Sequence, residues 1–194
     1  LYHMPIYKQL AVLIRSGALG PLRFIQMNFG SYKEYDMNNR FFNRSLAGGA
    51  LLDIGVYALS FVRYFMSCQP DQIASQVRLA PTGVDEQAGI LLQNREGEMA
   101  TLSLSLHAKQ PKRGMAAFDK GYIEIYDYPR ADTATITYTA DGHQDVLQAG
   151  SQSKALQYEI RDREDAVAHG GQGMCQAYTK DVMDLMTAIR QQWG

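Results

Sequence analysis

"GGALLDIGVYALSFVRYF", residues 48–65, combines helical spacing with apolar residues on nearly every side, yet it carries a carboxylate, Asp53, and four positions later a phenol, Tyr57. Burying an unpaired carboxylate is costly, so a carboxylate in such a stretch has either a partner or chemistry to do. A helix here sets Asp53 and Tyr57 one turn apart on one face, with Ser60 and Tyr64 continuing the line. Leu51, Ile54, Ala58, Val62 and Phe65 lie mostly elsewhere, and if Leu51, Ala58 and Val62 pack on a sheet the polar line faces away from it. Spacing alone leaves two roles open for Asp53. It accepts backbone N–H groups at the helix start, where the helix dipole favours an anion, or it partners Tyr57 in proton chemistry.

Working outward, "PLRFIQMNFG" at 21–30 is rich in β-branched and aromatic residues, ends in glycine and reads as a strand. Ahead of it, Pro5 suits the first turn of a helix whose face is Ile6, Leu10, Leu13 and Ile14, and Gly17 or Gly20 ends that helix. A polar connection, "SYKEYDMNNRFFNRSLA", leads from the strand into residues 48–65. Beyond residue 72 the periodicity changes to two, predicting strands at 72–79, 87–93, 99–107, 115–119, 122–126 and 133–139. In "MATLSLSLH", Ala100, Leu102, Leu104 and Leu106 point one way and Thr101, Ser103 and Ser105 the other. Short turns, "NREGE", "DKG" and "ADG", make neighbours antiparallel. Residues 148–173 carry the least pattern, and "GGQG" at 170–173 reads as a mobile loop. A closing helix follows, with Thr179 as its cap and Val182, Leu185, Met186, Ile189 and Trp193 as its apolar stripe. The order predicts an α+β fold over residues 1–194: one domain with an open, mostly antiparallel β-sheet and helices on one face.

Composition narrows the function. Nineteen basic residues against twenty acidic ones give a net charge of −1, and the cations are scattered, which argues against nucleic acid and anionic membrane as partners. Cys68 and Cys175 stand far apart and outside metal-ligand spacing, so neither a disulfide nor a metal is expected. No signal peptide is evident, and Asp53 and Arg63 break the apolar run around Leu59, so a cytoplasmic location is expected. Leu1 is no initiator methionine, which suggests the interior of a longer protein. There is no G-x-G-x-x-G or G-x-x-x-x-G-K-[ST] fingerprint, so this chain by itself is not expected to bind a dinucleotide tightly. His3, His107, His143 and His169 are isolated, and no Ser-His-Asp or Cys-His nucleophile system is supported.

"AGGALLDIGVYALSFVRYF", preceded by "GALGPLRFIQMNFG" and followed by "KGYIEIY" and "DVMDLMTAIRQQWG", resembles the carboxy-terminal domain of the Gfo/Idh/MocA oxidoreductases, through a glycine-rich lead-in followed by D-x-G-x-[HY]. The resemblance implies a dihydrodipicolinate-reductase-like sheet that shapes a substrate pocket and mediates dimerisation. It also implies a missing amino-terminal Rossmann domain that binds NAD or NADP, with residues 1–20 as a bridging helix from it. By the same resemblance Tyr57 is the residue that exchanges a proton with the substrate hydroxyl or carbonyl, Asp53 is the active-site aspartate, and a catalytic lysine lies in the absent domain. The expected substrate is the secondary alcohol of a sugar, polyol or diol.

In the connection, Asn38, Arg40 and Phe41 are candidates to line a polyol pocket, with Tyr32, Tyr35 and His107 weaker ones. The hydroxyl-rich strand faces, Thr101, Ser103 and Ser105 with Thr133, Thr135 and Thr137, suit contact with a second copy, so a homo-oligomer is expected. The competing reading is a noncatalytic binding or assembly module that keeps the fold.

Overall fold

Leu22–Gly30 (β1) buries Ile25, Met27 and Phe29 on one side and lies at the centre of an eight-stranded sheet. The computed structural model describes residues 1–170 and 175–193. The other strands are Gln72–Leu79 (β2), Asp85–Gln93 (β3), Met99–Ser105 (β4), Gln110–Phe118 (β5), Gly121–Tyr126 (β6), Thr133–Tyr138 (β7) and Gln144–Gln148 (β8). Their order is β2-β3-β4-β1-β5-β6-β7-β8. Two antiparallel meanders, β2 to β4 and β5 to β8, are thus joined by β1, which runs parallel to β4 and antiparallel to β5.

One face of the sheet is apolar throughout. Ala88, Ile90 and Leu92 of β3 align with Leu104, Leu102 and Ala100 of β4, and Ala116, Ile123 and Ile136 continue the surface across β5, β6 and β7. Helices Pro5–Arg15 (α1), Val56–Phe65 (α2) and Gln176–Gln191 (α4) pack on this side through Ile6, Tyr7 and Leu10, through Ala58, Phe61, Val62 and Phe65, and through Val182, Leu185, Met186 and Ile189. Gly17 at φ +74° and Gly20 at φ +73° release the chain from α1 into β1, a backbone conformation that costs glycine little.

The sheet with helices on one face stands as expected. Several details differ. Strand β8 was unexpected, because "QDVLQ" at the sheet edge is mostly exposed and shows no apolar alternation. The poorly patterned 148–173 stretch holds a 15-residue helix, Ala155–His169 (α3), with Ala166 its only buried residue among those described. It is tied to the amino end by Asp162, which accepts from Lys8 at 2.7 Å and pairs with His3 at 2.8 Å. Of the expected "GGQG" loop, Gly170 ends α3 at φ +85° and the rest lies outside the described residues. Thr179 is not the cap of α4: Cys175 holds that position, and Thr179 sits inside the first turn with its hydroxyl donating to the Cys175 carbonyl. Ser105 is buried rather than part of an open hydroxyl face, since its Oγ accepts from the His107 and Ala108 amides and ends β4 there. Arg44–Phe65 is by length and composition apolar enough to cross a bilayer, contrary to expectation: its most apolar 18-residue window has a mean hydropathy of 1.6, and more than half of that window is buried in this fold.

Candidate functional site

The residues ahead of α2 do not form an ordinary α-helix. Leu51–Gly55 makes one wide π turn, in which the Val56 amide donates to the Leu51 carbonyl, and Asp53 sits at its centre. Such turns recur at functional sites, because one extra residue in the coil redirects a side chain. The start of the turn is held by a carboxylate from another element. Asp85 at the head of β3 accepts the Leu51 amide at 2.6 Å. Asp85 is buried, and desolvation pushes its carboxyl up to about 6. The helix-start role open to Asp53 therefore belongs to Asp85, and Asp53 has a different partner.

That partner is Arg40, whose Nη2 donates to Asp53 Oδ1 at 2.9 Å. The glycine pair explains the approach. Gly48 N–H donates to the Asn43 carbonyl and Gly49 N–H to the Phe41 carbonyl, both at 2.9 Å, zipping the connection onto the head of the helix. A Cβ on Gly48 would press on the Arg40 and Phe41 carbonyls, and one on Gly49 would overlap the Asp85 carboxylate. Asn39 accepts the Phe41 amide and shapes the short turn Arg40–Phe42, whose Phe42 is fully buried. Above it the Arg40 guanidinium lies 4.0 Å from the Phe41 ring centre and Lys33 Nζ 4.1 Å from the same ring.

Tyr57 follows one turn after Asp53. Its side chain is 44% exposed, its ring rests on Phe29 at 6.2 Å, and its hydroxyl has no hydrogen-bond partner among the described residues. Lys112 Nζ lies 5.3 Å from the Phe29 ring. Further along the same helix face, Tyr64 donates to the Tyr7 carbonyl at 2.8 Å and Tyr2 covers Ser60. The polar line is thus closed by α1 at one end and open to solvent at Tyr57.

Of the residues singled out from the sequence, Asp53, Arg40 and Phe41 come together. Asn38 does not join them: its amide and side chain are both engaged by Asp36, at 2.9 and 3.1 Å. Tyr32 is exposed. Tyr35 and His107 form a cluster with Glu86, which sequence reasoning did not single out. Glu86 is 1% exposed, and its Oε2 accepts from the Tyr35 hydroxyl at 2.9 Å and faces His107 Nε2 at 3.1 Å. Asp85 was missed as well. The adjacent acids at the head of a strand that otherwise carries no charge were the available signal.

Residues 7–126, more than half of the chain, match the GFO/IDH/MocA C-terminal domain family. Among curated proteins, the trans-1,2-dihydrobenzene-1,2-diol dehydrogenase of Xenopus tropicalis is 34% identical over 122 residues, covering 62% of this chain and 36% of the relative. That of Xenopus laevis is 33% identical over 133 residues, covering 68% and 40%. The chain thus spans two fifths or less of the length of these relatives. Among solved structures, the 3-ketoreductase KijD10 of Actinomadura kijaniata, in complex with NADP and TDP-benzene, aligns with a TM-score of 0.77 at 24% identity, over 97% of this chain and 59% of its own. The aldose-aldose oxidoreductase of Caulobacter crescentus, complexed with glycerol, aligns with a TM-score of 0.79 at 20% identity, over 98% and 60%. These two share the fold. The family match, resting on the segment that holds β1, the Arg40–Asp53 pair and Tyr57, makes this chain a C-terminal domain of the GFO/IDH/MocA oxidoreductase family.

Proposed function

We propose that this chain is the substrate side of an NAD(P)-dependent oxidoreductase that acts on the secondary alcohol, or the matching ketone, of a diol, polyol or sugar. One observation carries the reading: the Tyr57 phenol is open and unbonded one turn from a carboxylate that a guanidinium already holds in place. The relatives named for a dihydrodiol and the fold relative named for aldoses support this substrate class.

When bound, the nicotinamide supplies the hydride chemistry. The residues here fit its reacting end only, since the sequence has no glycine-rich phosphate cradle, and the dinucleotide itself is assigned to a preceding domain. Tyr57 transfers the proton at the carbinol oxygen. Such a transfer by a phenol calls for a neighbouring cation to take up the charge that develops on its oxygen. Asp53, fixed by Arg40, orients the substrate hydroxyl, and the Phe41 and Phe29 rings wall the site with apolar surface. Assembly through the uncovered sheet face into a homodimer, and a cytoplasmic location, belong to the same proposal.

The test is hydride transfer in the full-length protein with NADP⁺ or NAD⁺ and trans-1,2-dihydrobenzene-1,2-diol, glucose or glycerol. Tyr57→Phe should cut turnover by roughly 100- to 10,000-fold while unfolding stays within about 0.5 kcal/mol of the parent, because an exposed hydroxyl without a partner is removed. Near-full turnover in Tyr57→Phe would assign the proton to another group.

A further inference from the structure

Glu86 is the most deeply buried carboxylate described, at 1% exposure, and the chemistry at Tyr57 does not use it. A charge so placed must be compensated by its neighbours. Its compensation comes from three separate segments. The Tyr35 hydroxyl, from the connection after β1, donates to Oε2 at 2.9 Å; His107 Nε2, just past β4, lies 3.1 Å from the same oxygen; Arg78 Nε, from β2, lies 2.8 Å from Oε1. The hydrogen bond to Glu86 holds the Tyr35 phenol above its ordinary value.

The connection is tied down unevenly. Backbone bonds fix its first residues, Ser31 N–H to the Ser105 carbonyl and Lys33 N–H to the Leu106 carbonyl, and the glycine pair fixes its end at Phe41 and Asn43. Between them Tyr35 reaches the body of the domain at Glu86, and Met37 packs against the apolar core. The Tyr35 ring lies 4.2 Å from that of His107 and meets Phe42 edge-on at 5.1 Å and 78°. Phe42 belongs to the same short turn as Arg40, so a continuous path of contacts runs from Glu86 through Tyr35 and Phe42 to the guanidinium on Asp53.

We propose that Glu86 is a positioning residue of this site: through Tyr35 and His107 it anchors the connection so that Arg40 reaches Asp53. The proposal rests on the reading of Asp53 and Tyr57 as the reacting pair. Glu86 touches neither, and acts only through the segment it holds.

The experiment uses the full-length protein and two variants. Glu86→Gln keeps size and shape but removes the charge, and Tyr35→Phe removes one hydroxyl while leaving both ring contacts. Glu98→Gln is the control, since Glu98 is also buried and bonded, to Ser67 and Asn94, beyond the far end of β4. Native-state trypsin cleavage of the Arg40–Phe41 bond should speed up about tenfold in both test variants, the release of one charge-assisted hydrogen bond. KM for the alcohol should rise about tenfold with kcat within about twofold, a loss of binding rather than of chemistry. Glu98→Gln should change neither. Unchanged cleavage in both variants, equal acceleration by Glu98→Gln, or faster cleavage with an unmoved KM each overturn the proposal. If Glu86→Gln fails to fold, Tyr35→Phe decides by the same measures. If the parent turns over no alcohol, the functional reading fails, and the cleavage arm still decides whether Glu86 holds Arg40.

Discussion

Asp85 Oδ2 receives the Leu51 amide at 2.6 Å, so the turn that carries Asp53 is started by a strand rather than by its own sequence. Desolvation raises the Asp85 carboxyl from 3.8 to about 6 in the folded protein, which means the fold prefers it protonated. Its stabilising contribution is whole below about pH 4 and is lost as the pH rises through about 6. Asp85→Asn keeps an acceptor for Leu51 and cannot titrate. Between about pH 4 and pH 7 the parent should therefore lose on the order of 2–3 kcal/mol relative to Asp85→Asn, read from urea unfolding at each pH. Parallel pH profiles for the two proteins would show that the carboxyl is not raised.

Gly49 holds φ +119° directly against the Asp85 carboxylate. Gly49→Ala should destabilise the domain by roughly 2–4 kcal/mol, from backbone strain and steric overlap together. Gly97→Ala is the comparison, at φ +80° with nothing within 4 Å of the added carbon. It should cost about 1 kcal/mol, the strain alone. Chemical unfolding of both separates the two contributions.

The Arg40 side chain is 57% exposed, so its bond to Asp53 adds little to stability, about 0–1 kcal/mol. Arg40→Met should leave the melting temperature within about 3 °C of the parent yet reduce kcat/KM for the alcohol by roughly 10- to 100-fold, because an undirected carboxylate no longer orients the hydroxyl. Steady-state kinetics on a variant of matched thermal stability checks this.

The sheet face away from the helices carries a row running from Leu91 through Thr101, Gln26, Met115, Glu124 and Thr135 to Val146, with little charge for its width. Leu91 and Val146 are 39% and 62% exposed. Thr101→Arg, on β4 within this face, should shift sedimentation from dimer to monomer at micromolar concentration without loss of secondary structure. A parent that is already monomeric rules out this interface.

What the sequence disclosed follows from where apolar residues repeat. Ala100, Leu102 and Leu104 alternate cleanly because β4 lies inside the sheet, and Val182, Leu185, Met186 and Ile189 recur at helical spacing because α4 faces the core. Strand β8 lies at the edge and α3 buries little, so neither imposes a pattern. Asp53 and Tyr57 stood out because polar groups interrupt an apolar run. Arg40 and Asp53 were each singled out but their pairing was not, since the contact depends on the fold of Gly48 and Gly49. Asp85 and Glu86 act across thirty or more residues of chain, and no local spacing reveals such a pairing.

The placement of β1 dictates an order of assembly. β2 to β4 and β5 to β8 zip by local hairpins, but β1 finds its neighbours only in residues 99–105 and 110–118. As the chain leaves the ribosome, Leu22–Gly30 waits with Ile25, Met27 and Phe29 uncovered while more than seventy further residues are made. Closing that long loop is slow compared with hairpin formation, so insertion of β1 is the step expected to limit the folding rate. Until it occurs the two meanders have unpaired edges facing one another, the state most exposed to aggregation and to capture of a β1 from another chain.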